Sequence, residues 1–293
     1  MEGLERTKGR GDAETRRGGE GNGTHEGDPL RLIRPTEVGE IQVNNNIKAV
    51  GFDLFNTLIT VDPSARPESM RRLTESLKAA GLKVDHDAFS RAHREAVIRY
   101  LEATRVDGRE THNRFWISAA LNNLGYEVLP DDPRIAPVVD AYFSAYIEAS
   151  RLIPGTREML ELLKSRYRLG LLSNFTHTPA ATAVILRHAL SPYFDVILIS
   201  GAIGYRKPHP LVFQLLVHRL GVARQEIAFV GDDAEADVEG AQMAGLRPIW
   251  TTYVHDQSML ADSAAMMRST HEPSAPVPRI SEWEDLIALL GVE

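Results

Sequence analysis

Short apolar runs, each closed by a polar residue or a turn, alternate with helical patterns along most of the chain. The first run, IKAVGFDLF from Ile47, ends abruptly at a carboxylate. Four more follow at 168–174 (RLGLLSN), 194–200 (FDVILIS), 226–232 (EIAFVGD) and 247–253 (RPIWTTY). Their length and apolarity predict buried strands. Between them, TREMLELLKSRY sets Met159, Leu160, Leu162 and Leu163 on one helical face, while HPLVFQLLVHRLG is stopped by Gly221 and EADVEGAQMAG by Gly245. Strands alternating with helices of this length predict a Rossmann-like α/β fold, a doubly wound parallel sheet with right-handed crossovers.

Two stretches break the alternation. Residues 64–150 hold about four consecutive helical patterns and no convincing strand, with stripes at Met70, Leu73, Leu77 and Ala80, at Phe89, Ala92, Ala96 and Tyr100, at Phe115, Trp116 and Ala119, and at Ile135, Val139, Tyr142 and Tyr146. This is read as an inserted all-helical domain whose stripes are packing surface. It leaves the sheet after the first strand and returns at Pro154-Gly155, so it lies over that strand's carboxyl end. Residues 1–45, polar and Gly/Arg/Glu-rich without periodicity, are read as a disordered tail. The core is then 46–63 with 151–293, and within it 255–279 reads as a loose excursion before a last helix, SEWEDLIALLG, with a packing role.

Composition narrows the chemistry. At 293 residues, with 43% hydrophobic and 25% charged residues, the chain can bury a large core plus a smaller domain. It has no cysteine, which removes disulfides, thiolate metal sites and a cysteine nucleophile and leaves oxygen or imidazole ligands for any metal. A net charge of −7 argues against a general nucleic-acid or anionic-membrane binder. The polar start MEGLERTKGR and the absence of a long apolar run imply a cytoplasmic protein with neither a signal peptide nor a membrane span.

In open α/β sheets, ligands bind beyond the carboxyl ends of the strands. Those ends are unusually polar here. The first delivers Asp53, the second Ser173 and Asn174, the third leads into GAIGYRKPHP with Lys207, and the fourth delivers Asp232 and Asp233. Each has a bland reading as a turn, a cap or a solvated loop residue. Gathered in one crevice they form a phosphoryl-transfer site: a carboxylate nucleophile, Asp53 and Asp232 as ligands of Mg²⁺, Lys207 as a point charge, and the Ser173 hydroxyl on a phosphoryl oxygen.

From Ile47 to the C-terminus the chain resembles the haloacid dehalogenase-like hydrolase superfamily, in the subfamily with a helical cap between its first two motifs. FDLFNTL matches the first motif at Asp53 and Thr57, LLSN the second at Ser173, YRKPHP the third at Lys207, and VGDDAEAD the fourth at Asp232 and Asp237. The resemblance implies that Asp53 attacks phosphorus and that the Phe55 main-chain carbonyl joins Asp53 and Asp232 on Mg²⁺. It further implies that Asp237 supports the metal directly or indirectly, with Asp233 at most on a metal-bound water. The substrate implied is a small phosphorylated metabolite, and Asn174 is counted with Ser173 and Lys207 as substrate-binding. One position departs from the pattern: phosphatases of the family read D-x-D-x-T, with the second Asp as general acid/base, and here that residue is Phe55. General acid catalysis is worth about 10²- to 10⁴-fold. Three readings follow. A Mg²⁺-dependent phosphohydrolase would work on good leaving groups or borrow a proton donor from Glu110, His112 or His177; a 2-haloacid dehalogenase would use Asp53 on carbon without metal; a weakly active member would serve as a binding protein.

Overall fold

The computed structural model describes residues 46–257 and 271–292. The tail at 1–45 and part of the excursion, 258–270, lie outside the described residues. In chain order the elements are β1 (Ala49–Phe52), β2 (Ile59–Val61), α1 (Ala65–Ala79), α2 (His86–Asp107), α3 (Asn113–Asn123), α4 (Ile135–Ala149), β3 (Ser150–Leu152), α5 (Thr156–Lys164), β4 (Arg168–Ser173) and α6 (Thr178–Arg187). They continue with β5 (Val196–Ile199), α7 (Ser200–Ile203), α8 (Pro210–Leu220), β6 (Ile227–Gly231), a π-helical segment Ala234–Glu239, α9 (Gly240–Met243), β7 (Arg247–Thr251), α10 (Tyr253–Asp256), β8 (Arg279–Ile280) and α11 (Trp283–Leu289). No helix among the described residues is long and apolar enough to cross a membrane.

Six strands form one parallel sheet in the order β5-β4-β1-β6-β7-β8. β1 is fully buried because it pairs on both edges and is covered on both faces, which is why its sequence is apolar throughout. Gly51 and Gly170 sit opposite each other on β1 and β4. A Cβ on either would approach the Leu216 side chain of α8 to 3.1 Å or less, so the paired glycines let that helix lie close against the sheet. One face packs Leu160, Leu163, Val184, Trp283 and Leu286 over the sheet; the other packs Val212, Phe213, Leu216 and Leu220.

All five anticipated strands are present and parallel. The short edge strand β8 was not anticipated; it pairs with β7 at the very end of the segment read as a loose excursion, with Ile280 just beyond it. Nor was the antiparallel ribbon of β2 and β3, which joins Ile59 to Leu152 and Val61 to Ser150 at the two ends of the helical insertion. The last helix does pack, with Trp283 and Leu286 buried and Trp283 Nε1 donating to Thr156 Oγ1 at 3.1 Å.

Helices α1 to α4 close on a cluster of their own around Leu73, Leu77, Phe89, Leu121, Ile135 and Val139. α2 starts where Asp85 accepts the Ala88 N–H (2.9 Å) and ends at Gly108, whose φ of 68° is left-handed. Gly108 also touches the core: a Cβ there would meet the His209 ring at 2.7 Å, and its carbonyl accepts the Arg206 N–H at 3.0 Å.

Candidate active site

The chain runs from β1 to β4 and β5 on one side, then to β6, β7 and β8 on the other. The strand order therefore reverses at β1, and the crevice beyond such a switch is where parallel sheets bind ligands. Asp53 follows β1 directly, with its N–H bonded to Val230 O at 2.9 Å. Ser173 closes β4 on one flank, and Asp232 follows β6 on the other. Lys207, from the loop between α7 and α8, lies between the carboxylates: its Nζ is 2.5 Å from Asp53 Oδ1, 2.7 Å from Asp237 Oδ1, and donates to Leu172 O at 2.8 Å. Thr57 donates to Asp232 Oδ1 at 3.3 Å. The sheet edge thus brings Asp53, Ser173, Lys207, Asp232 and Asp237 together, and all five are buried.

This is a costly arrangement of charge. One ammonium faces three buried carboxylates, and burial strongly disfavours unbalanced charge. Burial tends to lower the Lys207 pKa, but the attraction of Asp237 and Asp53 outweighs it and the net shift is upward, so the ammonium stays protonated. Asp237 is pushed up to about 7, by burial first, with Lys207 pulling down and Asp53 and Asp233 pushing up. Oxygens of Asp53, Asp232 and Asp237 lie within 4.8 Å of one another, a donor set with the hardness and excess negative charge that a divalent cation satisfies. Gly231 makes room for the Asp237 side chain in this cluster, since a Cβ there would collide with its carboxylate. The turn after β1 bonds through Leu54 O and Asn56 N, Asn56 being left-handed at φ 62°, which leaves the Phe55 carbonyl out of the bridge. The buried Ser173 Oγ has no hydrogen-bond partner among the described residues. These features fit a bound Mg²⁺ and phosphoryl group.

Two further residues that the sequence singled out line the cavity and also hold its framework. The Asn174 amide clamps the Lys207 main chain, donating to its carbonyl (3.0 Å) and accepting its N–H (2.8 Å), so it positions the lysine. Asp233 Oδ1 accepts the N–H groups of Glu235 and Ala236 at 3.0 and 2.9 Å, capping the π-helical segment, and it stands outside the three-carboxylate cluster.

None of the three candidate proton donors lines the cavity over Asp53. Glu110 accepts from Ser200 Oγ at 2.5 Å and faces Arg206 at 3.5 Å. His112 and His177 pair with each other at 3.2 Å, and His177 reaches Asp140 at 3.2 Å. Burial lowers the pKa of both, His112 to about 4. These groups join the insertion to the core instead. Phe55 is part of the same junction: its ring stacks on Phe175 at 4.7 Å, Phe175 meets Phe143 of α4 at 5.1 Å, and Phe143 stacks on His177 at 5.0 Å.

The cavity over Asp53 has a volume of about 560 Å³ and reaches from the carboxylates to all four insertion helices. Sequence reasoning missed its far wall. Tyr142, Tyr146, Trp116 and Met70, read as packing stripe, line the cavity, as do Arg66, His93 and Arg94, which gave no signal at all. A stripe marks which helical face is covered, not whether protein or ligand covers it.

Sheet, helical insertion and buried carboxylates define a Rossmann-like hydrolase. The sequence profile of haloacid dehalogenase-like hydrolases matches residues 47–245, and the chain belongs to that family. It is 30% identical over 245 residues to a ribulose-1,5-bisphosphate 5-phosphatase of Halopiger xanaduensis, covering 82% of this chain and 99% of the relative. It is 31% identical over 210 residues to a glyceraldehyde 3-phosphate phosphatase of Pyrococcus abyssi, covering 71% of this chain and 82% of the relative. Among solved structures, a 2-haloacid dehalogenase from Pseudomonas syringae pv. Tomato superposes with a TM-score of 0.59 at 24% identity, over 84% of this chain and 98% of that one. A HAD phosphatase from Thermococcus onnurineus does so with 0.55 at 22%, over 84% and 99%. At those identities the two structures speak for the fold alone.

Proposed function

We propose that this protein is a Mg²⁺-dependent phosphohydrolase acting on a small organic phosphate through an aspartyl-phosphate at Asp53. The observation that carries this reading is the buried Asp53 held 2.5 Å from Lys207 with Asp232 and Asp237 at its side. Relatives named as phosphatases of ribulose-1,5-bisphosphate and glyceraldehyde 3-phosphate, matched over 99% and 82% of their lengths, support it.

Asp53, Asp232 and Asp237, with the Phe55 carbonyl, would hold Mg²⁺, which when bound offsets the repulsion between carboxylate and phosphate. The protein's own groups do the rest. An Asp53 oxygen forms a bond to phosphorus as the ester oxygen departs with its electron pair; Lys207 keeps the nucleophile oriented and Ser173 Oγ donates to a phosphoryl oxygen. Water then attacks the phosphoryl group, releasing inorganic phosphate and restoring Asp53. Phe55 offers no proton at either step, so leaving groups stable as anions react fastest.

The dehalogenase reading gives Asp53 a task but leaves the clustered carboxylates Asp232 and Asp237 without one. The binding-protein reading leaves the oriented Asp53–Lys207 pair without one. The test is release of phosphate from aryl and acyl phosphates with and without EDTA, beside halide release from a 2-chloroacid. Metal-dependent phosphate release is expected. Metal-independent halide release would replace the proposal with dehalogenation, and the absence of either would replace it with a binding role.

A further inference from the structure

The cavity over Asp53 is far larger than one phosphoryl group requires; a volume of about 560 Å³ accommodates a metabolite-sized molecule. Its two ends differ in charge. At the sheet lie the carboxylates, Lys207 and Ser173; the insertion helices contribute the charged residues Arg66 and Arg94 and no carboxylate. Asp62, just before α1, is the one carboxylate at the rim there, and its Oδ1 is taken up by the Ser64 N–H and hydroxyl at 2.9 and 2.6 Å.

Arg66 is the telling residue. Helix α1 carries three arginines, and two are neutralised on its outer side: Arg71 by Glu68 and Glu75 at 2.7 and 2.6 Å, and Arg72 by Glu68 and Glu148, both at 2.7 Å. Arg66, half-buried at the cavity, has no carboxylate partner among the described residues. A guanidinium stays charged at any physiological pH, and shielding it from water without a counter-charge is costly unless a ligand supplies one. Its charge acts on His93, Tyr142 and Tyr146, so it stands among the other polar groups of that wall. The Tyr142 and Tyr146 hydroxyls are 3.4 Å apart and share one hydrogen bond, so one O–H remains free to donate. A forked cation beside a spare hydroxyl suits a second oxyanion. Arg94, exposed at the cavity, adds charge there.

We propose that Arg66, aided by the hydroxyls of Tyr142 and Tyr146, forms a distal anion subsite, and that the substrate is two-headed: a phosphate ester whose far end carries a carboxylate or a second phosphate. The proposal rests on the phosphohydrolase reading for the near end only. It makes Arg66 the residue that selects among small phosphates, while Asp53 and its neighbours treat every phosphoryl group alike.

The test uses the full-length protein with Mg²⁺ and four compounds: an aryl phosphate, a neutral short-chain alkyl phosphate, a phosphorylated short-chain hydroxy acid and a short-chain bisphosphate. Wild type should favour at least one of the two-headed compounds over the neutral alkyl phosphate by about 10- to 100-fold in kcat/KM, the worth of a charge-assisted contact. Arg66→Gln should erase that preference chiefly through KM and change the aryl phosphate less than threefold. Arg66→Lys should restore part of it, and Tyr146→Phe, which keeps the ring, should lower it several-fold. Whether the acid or the bisphosphate gains most identifies the distal group. Calorimetric binding of the same compounds to Asp53→Asn, with and without Arg66→Gln, gives a readout independent of turnover. Binding that favours the two-headed compounds and depends on Arg66, without any phosphate release, supports the subsite and sinks the hydrolase reading. Phosphate release with equal preference for neutral and two-headed compounds, or an Arg66→Gln loss uniform across all four, overturns the subsite and leaves the hydrolase reading standing.

Discussion

The cavity has two walls built by different rules. On the sheet side three of the five clustered polar residues arrive at the end of a strand, where one residue is aimed by the backbone: Asp53 after β1, Ser173 at the end of β4, Asp232 after β6. Lys207 and Asp237 come from the loop and the π-helical segment that follow the strands and are held by their contacts with this edge. On the insertion side the residues sit on helices, mixed among positions that pack against other helices. His93 is buried against Phe89, Trp116 and Tyr142, with ring centroids 5.9 to 6.5 Å away, yet it also lines the cavity. The contrast separates two duties. On the proposed function, chemistry falls to an edge with few alternatives, and selection to a helical wall whose residues also stabilise their own cluster. Substitutions at the sheet edge should therefore abolish turnover of every substrate, whereas those on the wall should change stability or preference.

The largest effect is expected at Asp53. Asp53→Asn removes the proposed nucleophile with little change of shape, and phosphate release should fall by at least about 10⁴-fold for every ester while the melting temperature stays close to wild type. A loss confined to some esters would place the chemistry elsewhere. Next is Lys207→Met, which leaves Asp53 and Asp237 buried without their cation. Urea denaturation without metal should show a loss of about 3–5 kcal/mol, alongside a collapse of turnover. An unchanged midpoint would mean that the ammonium does not balance those charges.

On the wall, His93 should matter for stability. Burial, reinforced by Arg66, lowers its pKa from 6.5 to about 4. Between those values the unfolded chain binds a proton that the folded chain does not, so the contribution is complete above pH 6.5 and is lost as pH falls towards 4. The loss is about 3 kcal/mol over that window, and His93→Gln should flatten that part of the stability profile. The smallest effect is expected from Phe55→Asp, which restores a proton donor at the cost of the stack on Phe175. The ratio of alkyl to aryl phosphate turnover should rise by about 10- to 100-fold, because poor leaving groups need the proton most. A ratio that does not move would show that protonation does not limit this enzyme.

Much of the sheet edge was legible because strand, carboxylate and turn follow each other directly in sequence. Asp53 ends an apolar run, and so does the Gly231-Asp232-Asp233 step. β8 and the β2–β3 ribbon were not legible, since two or three residues show no periodicity and only the pairing partner defines the strand. The division of labour between neighbours was equally hidden. Asn174 adjoins Ser173 and Asp233 adjoins Asp232, but one clamps Lys207 and the other caps a helix, and only hydrogen-bond geometry tells them apart. The helical wall stayed illegible for a further reason: Tyr142 and Tyr146 continue the stripe of Ile135 and Val139, and periodicity does not record where the packing ends and the cavity begins.

The central claim is the covalent step at Asp53, and the missing acid/base at Phe55 makes it directly measurable. Unassisted attack of water slows breakdown of the aspartyl-phosphate, so the intermediate should accumulate during turnover of an aryl phosphate in the presence of Mg²⁺. Acid quenching within the first turnovers, followed by intact-mass and peptide analysis, should find one added phosphoryl group on the peptide containing Asp53 and none in Asp53→Asn. Continued phosphate release with an unmodified Asp53 peptide at every time point, or release that survives in Asp53→Asn, would contradict the account.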